Sequence, residues 1–164
     1  MTYMNGWTYV KGPCTYVYSD LTSNASFKAH NPVTIGLGGL VEEIVGSDQS
    51  FIYGIARNDA ADSLGGVGAG KCLVEIPTSE TVYAIKIATD ASRSELSIGM
   101  SFDLEKSGNY VIGNEDSSTT PFVTIYPRDD FTTVDSADST VWVQIIGNRI
   151  GPIGANAADS DSIA

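Results

Sequence analysis

The chain is poor in the residues that metal chemistry, nucleophilic catalysis and membranes need. Among 164 residues there is one histidine and two cysteines, and nine lysines and arginines stand against twenty aspartates and glutamates. A single imidazole, His30, excludes a zinc centre built on several histidines. No G-x-S-x-G sequence supplies a nucleophile elbow for Ser-His-Asp chemistry. Cys14 and Cys72 are too sparse for a disulfide-stapled scaffold and read as reduced thiols. A net charge of −11 repels phosphate backbones, which argues against nucleic acid as a partner. Every apolar run is far shorter than the roughly 20 residues a membrane helix requires. The opening MTYMNGWTYVKG lacks the basic start and apolar block of a secretory signal.

What is present is the composition of one folded domain, 42% hydrophobic and 18% charged. Its charge is uneven. Residues 1–30 hold Lys11 and Lys28 against Asp20, whereas residues 115–164 hold two arginines against eight carboxylates. The first segment also carries Tyr3, Trp7, Tyr9, Tyr16, Tyr18 and Phe27, with Gly6, Gly12 and Pro13 interrupting it. So many rings must be buried, either by folding back onto the domain or by docking on a neighbouring subunit. The expected organisation is an extended aromatic N-terminal arm over 1–30, an all-β domain over 31–148 and a short acidic tail over 149–164. Tyr3, Trp7, Tyr9, Tyr16 and Tyr18 are the candidate interface residues.

From residue 33 the segments VTIGL, LVEEIV, SFIYGIA, CLVEIP, TVYAIKIA, MSFDL, YVI, FVTIY and VWVQII read as short strands separated by glycine, proline or polar breaks. TVYAIKIA places Tyr83, Ile85 and Ile87 on one face, and FVTIY and VWVQII are apolar on both. DAADSL and DASRSELSI offer at most a helical turn or two, and no window sustains a period of 3.6. This predicts a single β-sandwich or β-barrel of mostly antiparallel strands.

The most suggestive motif is SLGGVGAGKCLVEI, in which Gly65 to Lys71 match a phosphate-binding loop up to the final Ser or Thr. Cys72 takes that place, and CLVEIP, closed by Pro77, is a strand where a phosphate loop needs a helix N-terminus. It therefore reads as a glycine connection into a strand, with no nucleotide. His30, in KAHNP, reads as a loop residue, and its pairing with Cys14 or Cys72 is the only Cys-His option. Glu42 and Glu43, adjacent in a strand, point to opposite faces. Glu115-Asp116 and Asp129-Asp130 sit in loops and lack the spacing of a calcium loop. No metal or other cofactor is expected.

The order of elements resembles a known family. SFIYGIARNDAADS, the glycine connection to KCLVEIP, TVYAIKIA, LSIGMSFDL, the SGN turn, FVTIYPRDDF and VWVQII follow one another as in the head decoration, or cement, proteins of tailed bacteriophages. The resemblance spans roughly residues 33–148 and carries no signature motif. It implies a β-rich, non-enzymatic protein on the outer capsid surface of a virion, made in the host cytoplasm. It also implies a homotrimer that clamps neighbouring subunits of the major capsid protein. Two other classes fit the residues. One is a phage tail, fibre or adhesin-type domain binding glycan, with Trp142 beside the Asp129-Asp130 loop. The other is a small enzyme using Cys72 or a carboxylate pair.

Overall fold

The computed structural model describes residues 6–21, 26–36, 39–44, 51–61, 70–88, 98–114, 117–118, 121–127 and 140–151. These form thirteen strands: β1 (Thr8–Lys11), β2 (Cys14–Asp20), β3 (Ser26–Phe27), β4 (Pro32–Ile35), β5 (Val41–Glu43), β6 (Gly54–Ala56), β7 (Ala60–Ala61), β8 (Lys71–Pro77), β9 (Val82–Lys86), β10 (Ser101–Ser107), β11 (Tyr110–Asn114), β12 (Val123–Ile125) and β13 (Thr140–Ile145). Six make one antiparallel sheet in the order β1-β9-β13-β12-β10-β11. Five make a second in the order β2-β8-β6-β4-β5, and β3 pairs with β7 in a small ribbon. The chain is all-β, with a two-sheet, sandwich-like arrangement. Ala60 and Ala61, read from sequence as part of a possible helical turn, are instead the strand of that ribbon.

Period-two alternation decides which side chains enter the core. In the six-stranded sheet Tyr83, Ile85 and Ile87 of the β9 segment meet Val141, Val143 and Ile145 of β13 and Val123 and Ile125 of β12. Ile44, Ile52 and Ile55 join the same cluster from the segments of the second sheet. The outward residues of β13 and β12 (Trp142, Gln144, Thr124) are only partly buried. Cys72 and Val74 of β8 point the other way, into a second cluster with Val33, Ile35, Val41, Leu21, Phe27 and Phe51. Strand β6 feeds both clusters, Ile55 to the first and Ala56 to the second, which accounts for its lack of a polar face.

Two turns show local sequence setting local geometry. Ser107 pairs with Tyr110 across a two-residue loop in which Gly108 has φ +62°, the pattern of a II′ hairpin with glycine first. At Gly113 of β11 a Cβ would lie 2.4 Å from the Phe102 ring, so the absence of a side chain lets Phe102 fill the core there.

The aromatic N-terminal segment is part of the domain in its described portion. β1 pairs with β9 of one sheet, and β2 pairs with β8 of the other. Trp7 is fully buried, 5.7 Å from the Tyr83 ring centroid, and its indole N–H donates to the Val111 carbonyl. Its backbone N–H donates to the His30 carbonyl. Of the two destinations open to these rings, Trp7 takes the core. The expected arm boundary at residue 30 therefore does not separate 6–21 from the domain, because its strands supply sheet hydrogen bonds and its tryptophan supplies core volume. Gly151 likewise donates to the Ile52 carbonyl, so the domain reaches residue 151. The tail from 152 lies outside the described residues.

A candidate interface edge

Strand β2 has the composition of a strand and the exposure of a surface. CTYVYSD is β-branched and aromatic, and it runs in unbroken register along β8, from Cys14 opposite Pro77 to Asp20 opposite Lys71. The corner that launches it is fixed by Gly12 at φ +103°. The Tyr9 hydroxyl donates to the Gly12 carbonyl at 2.6 Å, and the Thr81 hydroxyl donates to the Pro13 carbonyl. Gly12 cannot carry a side chain, since a Cβ would sit 2.7 Å from the Glu80 carbonyl oxygen.

β2 is the outermost strand of its sheet in the strand order, and among the described residues its outer side is bridged only where the chain leaves it, by Leu21 to Val41 of β5. The other three edges of the two large sheets are each blunted. β1 is four residues long and breaks register between Tyr9 and Lys11. β11 is covered by Ile87, which bridges Gly113, and by Ala88, whose N–H donates to the Gly113 carbonyl. β5 has three residues, two of them glutamate, and is bridged by Leu21 at Val41. β2 has seven residues, no bulge and no internal proline or lysine. Its one charge, Asp20, is offset by Lys71 at 2.7 Å. Protected edges are the rule in folded proteins, which makes the long stretch of β2 edge a candidate contact surface.

One ring on this edge, Tyr16, is held in place. Tyr16 is 54% exposed, yet its hydroxyl donates at 3.1 Å to Oε1 of Glu75. Glu75 is fully buried between the sheets, where Tyr83 donates to its Oε2 at 2.6 Å and the Arg57 guanidinium lies 3.9 Å away. The Glu75 charge raises the Tyr16 phenol above its ordinary range, so the proton stays on the donor. Tyr18 is 74% exposed and Val17 36%. On the opposite face of the strand, Thr15 and Val17 join Tyr53, Ile76, Pro77 and Ile150 around an open, mostly apolar groove of about 500 Å³.

The candidate interface residues therefore separate. Tyr9, Tyr16 and Tyr18 lie exposed along β1 and β2, Trp7 is in the core, and Tyr3 lies outside the described residues. Tyr9 packs edge-on against Tyr83, with ring centroids 6.4 Å apart.

The remaining motifs resolve as follows. Lys71 opens strand β8 and pairs with Asp20, so CLVEIP is a strand, and Gly65 to Ala69 lie outside the described residues. Cys72 is fully buried, and burial pushes its thiol up to about 11. Cys14 is partly buried, and burial followed by the Glu75 charge raises its thiol too. Both surroundings oppose the thiolate a nucleophile needs. His30 adopts φ +70° and is pulled below its ordinary range, first by burial and then by the Arg57 charge. Glu43 pairs with Lys106 at 2.8 Å, while the Glu42 carboxylate lies over Gly36. Trp142 sits in β13 opposite Ala84, and Glu115-Asp116 and Asp129-Asp130 lie outside the described residues. Among the described residues no three His, Cys, Asp or Glu side chains gather as metal ligands, and no helix is long and apolar enough to cross a membrane.

Sequence reasoning missed Glu75, Asn31 and Asp103, all buried. Asn31 ties the sheets together: its Nδ2 donates to the Asn109 carbonyl at 2.7 Å and its Oδ1 accepts from the Val111 N–H at 2.9 Å. The signal for Glu75 was a lone charge at an alternating position within an apolar strand. Comparison with protein-family models, with curated proteins and with solved structures finds no match.

Proposed function

We propose that the chain is a structural, non-enzymatic protein of the virion, decorating the outer surface of a bacteriophage capsid and bridging subunits of the major capsid protein. The order of strands and turns between residues 33 and 148 suggests the class. The observation that supports an assembly role is the long β2 edge, bridged among the described residues only at its end by Leu21 to Val41, with Tyr16 and Tyr18 presented to solvent. Exposed aromatics on a rigid strand are effective anchors because they bury much area at little conformational cost. A protein that binds only the assembled shell stabilises it by linkage, and many copies multiply the effect.

The binding test is co-sedimentation of the purified chain with capsid shells. The wild type sediments with the shells in fixed proportion to the major capsid protein, and Tyr16→Ser with Tyr18→Ser lowers the bound amount at least tenfold. Point variants are needed because deleting the N-terminal segment would remove β1, β2 and Trp7 from the fold. Shells that bring down none of the wild-type chain would contradict the proposal.

A further inference from the structure

We infer that the segment immediately after the last described residue, Pro152–Ala158, docks into the apolar groove beside it, with Ile153 as its anchor. The groove lies on the Val17 face of β2, opposite to the face of Tyr16 and Tyr18. Val17, Tyr53, Ile76, Pro77 and Ile150 form its apolar walls, and its volume is about 500 Å³. Among the described residues no charged side chain lines it. Such a groove takes an uncharged, apolar occupant, because a carboxylate or an ammonium would lose its water there without gaining a partner.

The chain is delivered to this groove. Ile52 and Ile150 form a parallel bridge, the Ile52 N–H donates to the Arg149 carbonyl at 2.6 Å, and the Gly151 N–H donates to the Ile52 carbonyl at 3.0 Å. Gly147, Ile150 and Gly151 all line the groove, so the next residues start from its own wall. Ile153 is two residues past Gly151, and two residues span at most about 7 Å. An occupant tethered this closely competes at high effective concentration against any separate chain.

The composition of the segment matches the groove. Pro152-Ile-Gly-Ala-Asn-Ala-Ala158 carries no charge, and the first carboxylate is Asp159. The uncharged stretch ends before the acidic one begins, so docking takes no carboxylate out of water. Pro152 brings no N–H that an apolar groove would leave unpaired. Ile153 is the one large aliphatic residue of the stretch, and it would cover Val17, which is 36% exposed, and the partly buried Ile76. The Tyr53 wall is fixed, since its hydroxyl is hydrogen-bonded to the Ser19 hydroxyl at 3.2 Å. Docking here leaves Tyr16 and Tyr18 uncovered. It is independent of the decoration proposal, because the occupant belongs to the same chain whatever number of copies assembles.

Methyl NMR of the full, isolated chain tests the inference. Ile153 gives nuclear Overhauser contacts to the methyls of Val17 and Ile76 and to the Tyr53 ring. These contacts do not depend on protein concentration, and none passes between chains in a sample mixed from labelled and unlabelled protein. Ile153→Asp removes them, shifts the groove methyls and raises the binding of an apolar dye several-fold, while the circular dichroism spectrum is unchanged. No contact from Ile153 to the groove would overturn the inference. Contacts passing only between chains would assign the groove to a second copy and overturn it as well. Groove methyls that move only when capsid shells are added, with Ile153 free beforehand, would assign the groove to the shell with the same consequence. A chain with Ile153 docked that fails to bind shells would support the inference and count against decoration alone.

Discussion

Tyr83 of one sheet donates a 2.6 Å hydrogen bond to Glu75 of the other, and the same carboxylate accepts the hydroxyl of Tyr16 on the open edge. Burial, followed by the Glu75 hydrogen bond and charge, raises the Tyr83 phenol, so it stays protonated and donates. Tyr83→Phe leaves a buried carboxylate short of one donor. The expected loss is about 1–3 kcal/mol, read as a lower urea midpoint with an unchanged slope. An unchanged midpoint would show that the bond contributes nothing.

Trp7→Ala empties the largest fully buried side chain of the core. The expected destabilisation is about 3–5 kcal/mol, with thermal unfolding as the measurement. Deletion of residues 1–20 removes this ring and two strands, and it should leave a chain without a cooperative transition. A truncated chain that melts as the wild type does would return the segment to the role of a detachable arm.

Acid should weaken the fold first through His30. Its folded value is pulled below 6.5 by burial and by Arg57, while Glu75 and Asp59 act in the opposite direction. The unfolded chain therefore binds the proton more readily. The stability this group contributes is complete above pH 6.5 and is lost as pH falls through the depressed folded value. Urea midpoints measured between pH 7.5 and 5 should fall, and His30→Asn, which also tolerates positive φ, should flatten the slope. An equal slope in the variant would assign the loss to other groups.

Cys72 should resist alkylation in the native protein at pH 8 and react fully only on unfolding. Its folded thiol is raised to about 11, so the stability it contributes is complete below the unfolded thiol range near 8.5 and is lost as pH rises through 11. Rapid native modification of Cys72 would contradict its burial.

The strands were legible in the sequence because their composition and alternation are local. CLVEIP, TVYAIKIA and VWVQII stand where their β-branched residues and breaks put them, and CLVEIP forms a strand at the place where a phosphate loop needs a helix. The fate of the N-terminal rings was not legible. Trp7 and Tyr18 sit in similar local sequence, yet one fills the core and the other faces water. The difference comes from pairing partners far along the chain, Ala84 beside Thr8 and Leu73 beside Tyr18. Edge status is likewise a property of topology, since only the strand order shows that β2 ends its sheet. The sequence named Tyr3, Trp7, Tyr9, Tyr16 and Tyr18 alike as interface candidates, and could not separate the buried Trp7 from the exposed Tyr16 and Tyr18. The Glu75 hydroxyl acceptor that steadies Tyr16 appears only when both sheets are assembled.

Shell stability tests the account most directly. Heating purified capsid shells with and without saturating chain should raise the disruption temperature by several degrees. Most of that gain should be lost with Tyr16→Ser and Tyr18→Ser. Shells that disrupt at the same temperature with or without the chain would contradict the account.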